Sequence, residues 1–241
     1  MTDFGYKDVA PEEKTRLVGR VFDSVARRYD IMNDMMSLGV HRLWKRRFVN
    51  GCRLREGDRL LDLAGGTGDI ARLASDRGAR VSVGDINRAM LQVGRERMDG
   101  EGRIDGLDWV QANAEKLPFA SRSFDHVTIT FGLRNVTFRD QALAEMHRVL
   151  IPGGRVHIME FSKVGLPVLG RVYDTWSFQV MPRLGAAIAG DKESYQYLAE
   201  SIRRFPDQPT LAGMLEAAGF EDVAWENLSG GICAIHRGVC V

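Results

Sequence analysis

The sequence predicts an α/β fold: a doubly wound, mostly parallel seven-stranded sheet that ends in a C-terminal antiparallel hairpin. Three observations predict it. Short apolar runs alternate with helical patterns from residue 58 to about 162. A glycine-rich bend, "AGGTGD" (64–69), joins the first run to the first helix. The last two apolar runs are separated only by "SGG", too short a link for a crossover, so those strands must pair antiparallel.

The elements follow in order. "RLLDLA" (59–64) lacks the strict alternation of a sheet with one wet face and reads as a buried strand; "GDIARLASDRG" (68–78) is a helix stopped at Gly78. "RVSVGD" (80–85) and "NRAMLQVGRERM" (87–98) repeat the strand–helix unit. "LDWVQA" (107–112), "FDHVTITF" (124–131) and "RVHIMEF" (155–161) are further strands, and "RDQALAEMHRVL" (139–150) is a helix ended by "IPGG". Helices between strands imply parallel pairing through right-handed crossovers. "TLAGMLEAAGF" (210–220) is a late helix with a stop at Gly219, and "EDVAWENL" (221–228) with "GICAIHRGVCV" (231–241) forms the hairpin.

Two stretches lie outside this plan. Residues 12–50 form an N-terminal helical cap, in which Val18, Phe22, Val25, Tyr29 and Met32 share one helix face. Residues 163–206 are an insertion rich in aromatic and large apolar side chains. Ligands of open α/β sheets bind beyond the carboxyl ends of the strands, where this insertion starts, so it is read as a cap over the substrate. The chain, 1–241, is read as a single domain.

Composition narrows the function classes. With 44% hydrophobic and 27% charged residues, the chain suits an ordinary soluble core. A formal net charge of +1 argues against a nucleic-acid surface, which needs a concentrated basic face. Cys52, Cys233 and Cys240 are odd in number and lack CxxC spacing, which points to a reducing cytoplasm instead of a disulfide framework or a zinc site. No His/Cys/Asp cluster has metal-ligand spacing, so no metal is expected. No run approaches the roughly 18 apolar residues of a membrane span, and the polar, acidic N-terminus is unlike a secretory leader.

The glycine bend lets a ligand approach the backbone closely. "GTGDIA" (66–71) fits the nicotinamide-dinucleotide pattern, which keeps an oxidoreductase in play. Asp62 and Asp69 flank the bend, however, and would repel a pyrophosphate by about 4 kcal/mol each at ~4 Å and an effective dielectric of ~20. S-adenosylmethionine has no phosphate and carries a sulfonium and an ammonium, so the same acids favour it. Asp85, ending the second strand, suits the two hydroxyls of a ribose, a need that both cofactors share. Asn113 and the Ala114 backbone are placed for an adenine edge, which an amide can match with a donor and an acceptor.

Together these stretches resemble the class I S-adenosylmethionine-dependent methyltransferases. More narrowly, the chain resembles the ubiquinone/menaquinone-biosynthesis C-methyltransferases. The resemblance is carried by "YDIMNDMMSLGVHRLWK" (29–45), "LDLAGGTGD" (61–69), "GDIN" (84–87), "QANAEKLPF" (111–119), "FGLRNV" (131–136), "RVLIPGGRVHIMEFSK" (148–163) and "SYQYLAESIRRFPDQPTL" (194–211). It implies S-adenosyl-L-methionine held at Thr67, Asp85, Asn113 and Ala114, with Thr130 where the family has a serine. Asp62, Ala64, Gly65, Gly66 and Gly68 of the bend, and Ile86 after Asp85, complete the expected cofactor set. Ala64 stands where many members of the wider class have glycine, so that position must accept a Cβ.

The implied reaction methylates a ring carbon of a polyprenylated quinol, ortho to a hydroxyl. Ionising a phenol of pKa ~10 at pH 7 costs roughly 4 kcal/mol, which a base or a positive partner must offset. Arg134, after the fourth strand, is expected to stabilise the phenolate and not to act as a simple base, because a guanidinium holds its proton. Tyr29, Asp34 and His41 are the other catalytic candidates; Tyr29 also continues the apolar helix face, so packing is its competing role. Met32, Met35, Met36, Leu38 and Trp44, with Trp176, Phe178, Val180 and Met181, are read either as a channel for the tail or as helical core. "HRLWKRRF" (41–48) sets Arg42, Lys45, Arg46 and Arg47 among Leu43, Trp44 and Phe48, a face for peripheral membrane contact or simply a solvated one. A small-molecule acceptor other than a quinol, and a homodimer, stay open.

Overall fold

Seven strands lie in the order Leu107–Gln111, Arg80–Asp85, Arg59–Leu63, Phe124–Thr130, Leu150–Phe161, Cys233–Cys240 and Phe220–Leu228, and the chain reverses its direction of winding at Arg59–Leu63. The computed structural model describes residues 1–25, 33–34, 37, 39–103, 105–165, 170–171, 173, 175–176, 180, 183 and 192–241. The chain begins with β1 (Thr2–Phe4) and β2 (Lys7–Val9), then α1 (Pro11–Val25) and α2 (His41–Cys52). The alternating units are β3 (Arg59–Leu63), α3 (Asp69–Ser75), β4 (Arg80–Asp85), α4 (Arg88–Gly100), β5 (Leu107–Gln111) and β6 (Phe124–Thr130). The remainder is α5 (Arg139–Val149), β7 (Leu150–Phe161), α6 (Lys192–Arg204), α7 (Gln208–Ala217), β8 (Phe220–Leu228) and β9 (Cys233–Cys240). Neighbours from β5 to β7 pair parallel, whereas β9 runs antiparallel to both β7 and β8. This is the predicted sheet.

Local chemistry explains most of the boundaries. Asn87 starts α4 by accepting the Met90 N–H at 2.9 Å, and Asp207 starts α7 by accepting the Thr210 N–H at 3.1 Å, with a proline in the first turn. One boundary departs from expectation. "IPGG" does end α5, but β7 already begins at Leu150 and runs through those residues. Leu150 pairs with Phe124 and Arg155 with His126, so the intervening residues form an irregularity in the ladder, with Gly153 at φ 81°.

Alternation along β3 sends Leu60 to one face of the sheet and Leu61 and Leu63 to the other, and each face is covered. Leu60, Val81 and Val83 pack with Phe48 of α2 and Leu198 of α6. Leu61, Leu63 and Val127 pack with Leu143 and Met146 of α5 and Leu211 of α7. Each fully buried aliphatic side chain contributes about 1.5–3 kcal/mol.

The β1–β2 hairpin was not foreseen, since three-residue strands leave no readable period. It is fastened by charge and by an aromatic stack. Asp3 bridges Lys14 at 2.9 Å and Arg139 at 3.3 Å, and Phe4 stacks on Tyr197 with centroids 4.2 Å apart and planes at 16°.

Beneath the sheet's other end, His157 stacks on His126 at 5.7 Å and meets Phe48 edge-on at 6.3 Å. Burial, helped by the charges of His126, Arg155 and Arg237, pushes His157 from 6.5 down to about 3. Folded His157 therefore stays neutral down to about pH 3, while the unfolded chain takes up that proton near 6.5. Below 6.5 the unfolded state binds more protons, so stability falls with acidification by about 1.4 kcal/mol per unit through this group. Urea unfolding should show wild type losing roughly 2–3 kcal/mol more than His157→Phe between about pH 6.5 and 4.5. Equal losses in the two proteins would refute this.

Candidate cofactor and substrate site

The carboxyl ends of β3, β4 and β6 open onto a cleft of about 850 Å³, counting its solvent-open mouth. Its position at the reversal of strand order is where open α/β sheets bind ligands. Leu63 and Ala64 (end of β3 and the residue after it) and Gly84, Asp85 and Ile86 (end of β4 and the residue after it) form its floor; Ala112, Asn113 and Ala114 follow β5. Phe131, Gly132, Asn135 and Val136, beyond β6, make a wall. The roof is α1, through Thr15, Val18, Gly19 and Phe22. A second, smaller pocket lies beside the bend, lined by Lys45, Asp62, Gly65, Thr67, Asp69 and Thr130, and it shares Ala64 and Phe131 with the cleft.

The bend owes its shape to left-handed backbone. Ala64 (φ 49°), Gly66 (φ 54°) and Gly68 (φ 82°) all lie there, and so does Phe131 across the cleft at φ 56°. Left-handed alanine and phenylalanine are strained, and such strain gathers at functional sites. Gly68 has a second reason to be glycine: a Cβ would sit 2.8 Å from the Trp109 indole, which packs under the bend. The Cβ that Ala64 carries is accommodated from the opposite wall. Gly132 leaves room for it, since a Cβ at 132 would lie 2.3 Å from that of Ala64.

Asp85 ties the floor together. Its Oδ2 accepts the Gly66 N–H at 3.0 Å and its Oδ1 the Asn87 N–H at 2.8 Å. Burial raises its pKa to about 6 against the opposing effect of these bonds. Asn87 extends the connection to the roof, donating to Asp23 Oδ1 at 2.7 Å and to the Gly19 carbonyl at 3.4 Å.

The two acids flanking the bend differ sharply. Asp69 is claimed by Lys45 at 2.6 Å and Arg97 at 2.8 Å. Burial alone would raise its pKa, but these cations bring it down to about 2. It therefore presents no free charge to a ligand, contrary to the sequence-based argument, because α2 and α4 deliver cations that are distant in sequence. Asp62 fits that argument better. One oxygen accepts from Thr128 at 2.8 Å, while Oδ2 is buried beside the bend without a partner among the described residues. Burial, with repulsion from Asp85 and Asp69, lifts it to about 7. Thr130 Oγ1 is likewise buried without a partner among the described residues.

The catalytic candidates are dispersed. Tyr29 lies outside the described residues. Asp34 bonds His41 Nε2 at 2.9 Å and Arg42 at 2.7 Å. His41 is buried, and its Nδ1 has no partner among the described residues. Burial and the charge of Lys45 depress its pKa, so it is neutral at pH 7. Arg134 is fully buried behind the cleft wall, where Nη1 meets Glu160 Oε2 at 3.0 Å and its backbone N–H meets Oε1 at 3.1 Å. The expected tail channel largely escapes description: Met32, Met35, Met36, Leu38, Phe178 and Met181 are outside the described residues, Trp176 and Val180 are half-buried, and Trp44 is core. The basic face of α2 is also divided by helical period. Trp44, Lys45 and Phe48 turn inward, Arg47 pairs with Glu226 at 2.9 Å, and Arg42, Leu43 and Arg46 remain exposed.

Sequence reasoning missed Lys45 as part of the small pocket and Asn135 on the wall. The "FGLRNV" motif was the available signal for Asn135, and it was spent on Arg134.

The model of the ubiE/COQ5 methyltransferase family matches residues 8–240. The chain belongs to this family. A relative from Xanthomonas oryzae pv. oryzae, named ubiquinone/menaquinone biosynthesis C-methyltransferase UbiE, is 56% identical over 98% of this chain and 95% of its own. A Serratia proteamaculans relative of the same name is 54% identical over 98% and 96%. Solved structures share the fold at lower identity. A SAM-dependent methyltransferase from Thermotoga maritima, titled a possible histamine N-methyltransferase, is 20% identical with TM-score 0.67, covering 92% of this chain and 99% of its own. The [4+2]-cyclase SpnF is 18% identical with TM-score 0.70, covering 96% and 97%. A cyclase and a methyltransferase on one fold show that the fold does not by itself name a reaction.

The contact between Ala64 and Gly132 makes a direct prediction. Gly132→Ala should destabilise the family member described here by about 1–3 kcal/mol, as overpacking does, and adding Ala64→Gly should restore most of it. Thermal unfolding of the two single variants and the double variant measures the coupling; additive losses would mean that the walls do not meet.

Proposed function

We propose that this protein is an S-adenosylmethionine-dependent C-methyltransferase acting on the ring of a polyprenylated quinol in ubiquinone and menaquinone biosynthesis. The observation that carries the reading is family membership over residues 8–240 together with 56% identity to a relative bearing that name. When bound, the cofactor supplies an electrophilic methyl group on a sulfonium.

The residues present fit that group. Asp62 Oδ2 and Thr130 Oγ1, unpartnered among the described residues, with Thr67, give the small pocket an acceptor and hydroxyls suited to the ammonium of an amino acid end. In this reading Asp85 accepts from the ribose hydroxyls beside the backbone N–H groups that it already holds. Asn113 and the Ala114 backbone take the adenine edge, with Ile86 at the mouth. Ala64, Gly65, Gly66 and Gly68 shape the bend along which the cofactor lies.

The acceptor enters from the Phe131–Val136 wall, where apolar side chains suit a ring. His41, neutral and oriented by Asp34, has the chemistry of a proton acceptor. Arg134 acts from behind the wall, its charge balanced by Glu160. Tyr29 remains a candidate of the same reading. The chain is proposed as one domain, with residues 12–50 capping the cofactor and 163–206 the substrate. No described helix is long and apolar enough to cross a membrane. Exposed Leu43, between Arg42 and Arg46, supports peripheral contact with an anionic bilayer on the cytoplasmic side, where free, buried cysteines are at home.

Incubation with methyl-labelled cofactor and short-tailed quinols lacking the ring methyl should place the label on ring carbon, read by mass spectrometry; label on oxygen, or none, would reject the reading. Asp85→Asn should weaken S-adenosylhomocysteine binding on the order of 10²-fold by calorimetry, the scale of two charge-assisted hydrogen bonds. Unchanged affinity would remove Asp85 from the ribose.

A further inference from the structure

A phenolate forming in this cleft needs donors, yet the charged side chains lining it, Asp85 and Glu115, are acids. The buried Arg134 guanidinium is engaged by Glu160 and is not on the lining. Of the lining residues beyond β6, Phe131, Gly132, Asn135, Val136 and Thr137, two have polar side chains, and Asn135 is the one that carries an amide.

That amide is held in one orientation. Tyr197, buried on α6, donates its hydroxyl to Asn135 Oδ1 at 2.9 Å. With the carbonyl oxygen engaged, the amide group left to face the cleft is Nδ2–H₂, a donor pair. The backbone on either side is pinned too. Lys14 Nζ donates to the Val136 carbonyl at 3.2 Å, and Arg139 donates to the Arg134 carbonyl at 3.2 Å. Asp3 balances both cations, and Phe4 stacks on the Tyr197 ring. The N-terminal hairpin thus braces the backbone of this turn and, through Tyr197, its amide.

We infer that Asn135 is the oxyanion donor for the ionised quinol hydroxyl and that Tyr197 is the positioning residue that aims it. The inference rests on the quinol reading above. Tyr197 suits a fixed donor: burial raises its pKa well above 10, so the phenol keeps its proton. A donor fixed before reaction stabilises developing charge without reorganising, and removing one such donor costs about 10²–10³ in rate.

The test uses Asn135→Asp, Tyr197→Phe and the double variant with a short-tailed naphthoquinol lacking the ring methyl. Asn135→Asp keeps the shape and the acceptor for Tyr197 but replaces the donor pair with an acceptor. Its kcat should fall on the order of 10²-fold, and the acid limb of its pH profile should move upward by about one unit. S-adenosylhomocysteine affinity and melting temperature should stay close to wild type. Tyr197→Phe should lose about tenfold, and the double variant should be no worse than Asn135→Asp, because a misaimed amide and an absent donor are one defect. Wild-type kcat in Asn135→Asp, or losses that multiply in the double variant, would overturn the proposal. If Asn135→Asp melts early, Tyr197→Phe decides alone: an unshifted pH profile rejects the aiming role. Failure of the wild type to methylate any quinol would sink the quinol reading itself, a result distinct from a normal wild type with unaffected variants.

Discussion

One buried carboxylate organises the site. Asp85 takes the Gly66 N–H from the bend after β3 and the Asn87 N–H that opens α4, so two neighbouring strand ends are held at a fixed distance by one side chain. Asn87 then caps α4 and reaches Asp23 on α1, which carries the same constraint to the roof. Keeping a carboxylate out of water is costly, and its raised pKa records that cost. Part of it is recovered in the backbone bonds, and a ligand rich in hydroxyls can recover more.

The bend beside it works through strain and fit. Left-handed Ala64 and Phe131 face each other over the cleft, and Gly132 gives up its own side chain so that Ala64 can keep one. Asp62, with one oxygen unpartnered among the described residues, turns a hydrogen-bond acceptor to the bend, which suits a cation better than a diphosphate. This agrees with membership in a methyltransferase family, and it replaces the weaker argument from Asp69, whose charge Lys45 and Arg97 already neutralise.

The sheet could be read from the sequence because its information is local. Each buried strand is a short apolar run, each crossover a helical pattern, and the antiparallel ending followed from a three-residue link. The bend and Asp85 were legible for the same reason: glycine spacing and a strand-end acid lie within about 20 residues. What escaped were contacts between distant residues. Lys45 looked like a surface cation until α2 was placed over Asp69, 24 positions on. Tyr197 and Asn135 are 62 positions apart, and nothing in either local stretch announces the other. The first hairpin was invisible because strands of three residues carry no period, although its Asp3 and Phe4 brace the turn that bears Asn135.

Trp109 has a consequence of another kind. Its indole lies under the bend, so close that a methyl on Gly68 or Gly94 would collide with it. Any ligand that resettles those glycines must alter the surroundings of the ring, and indole emission responds to polarity and contact.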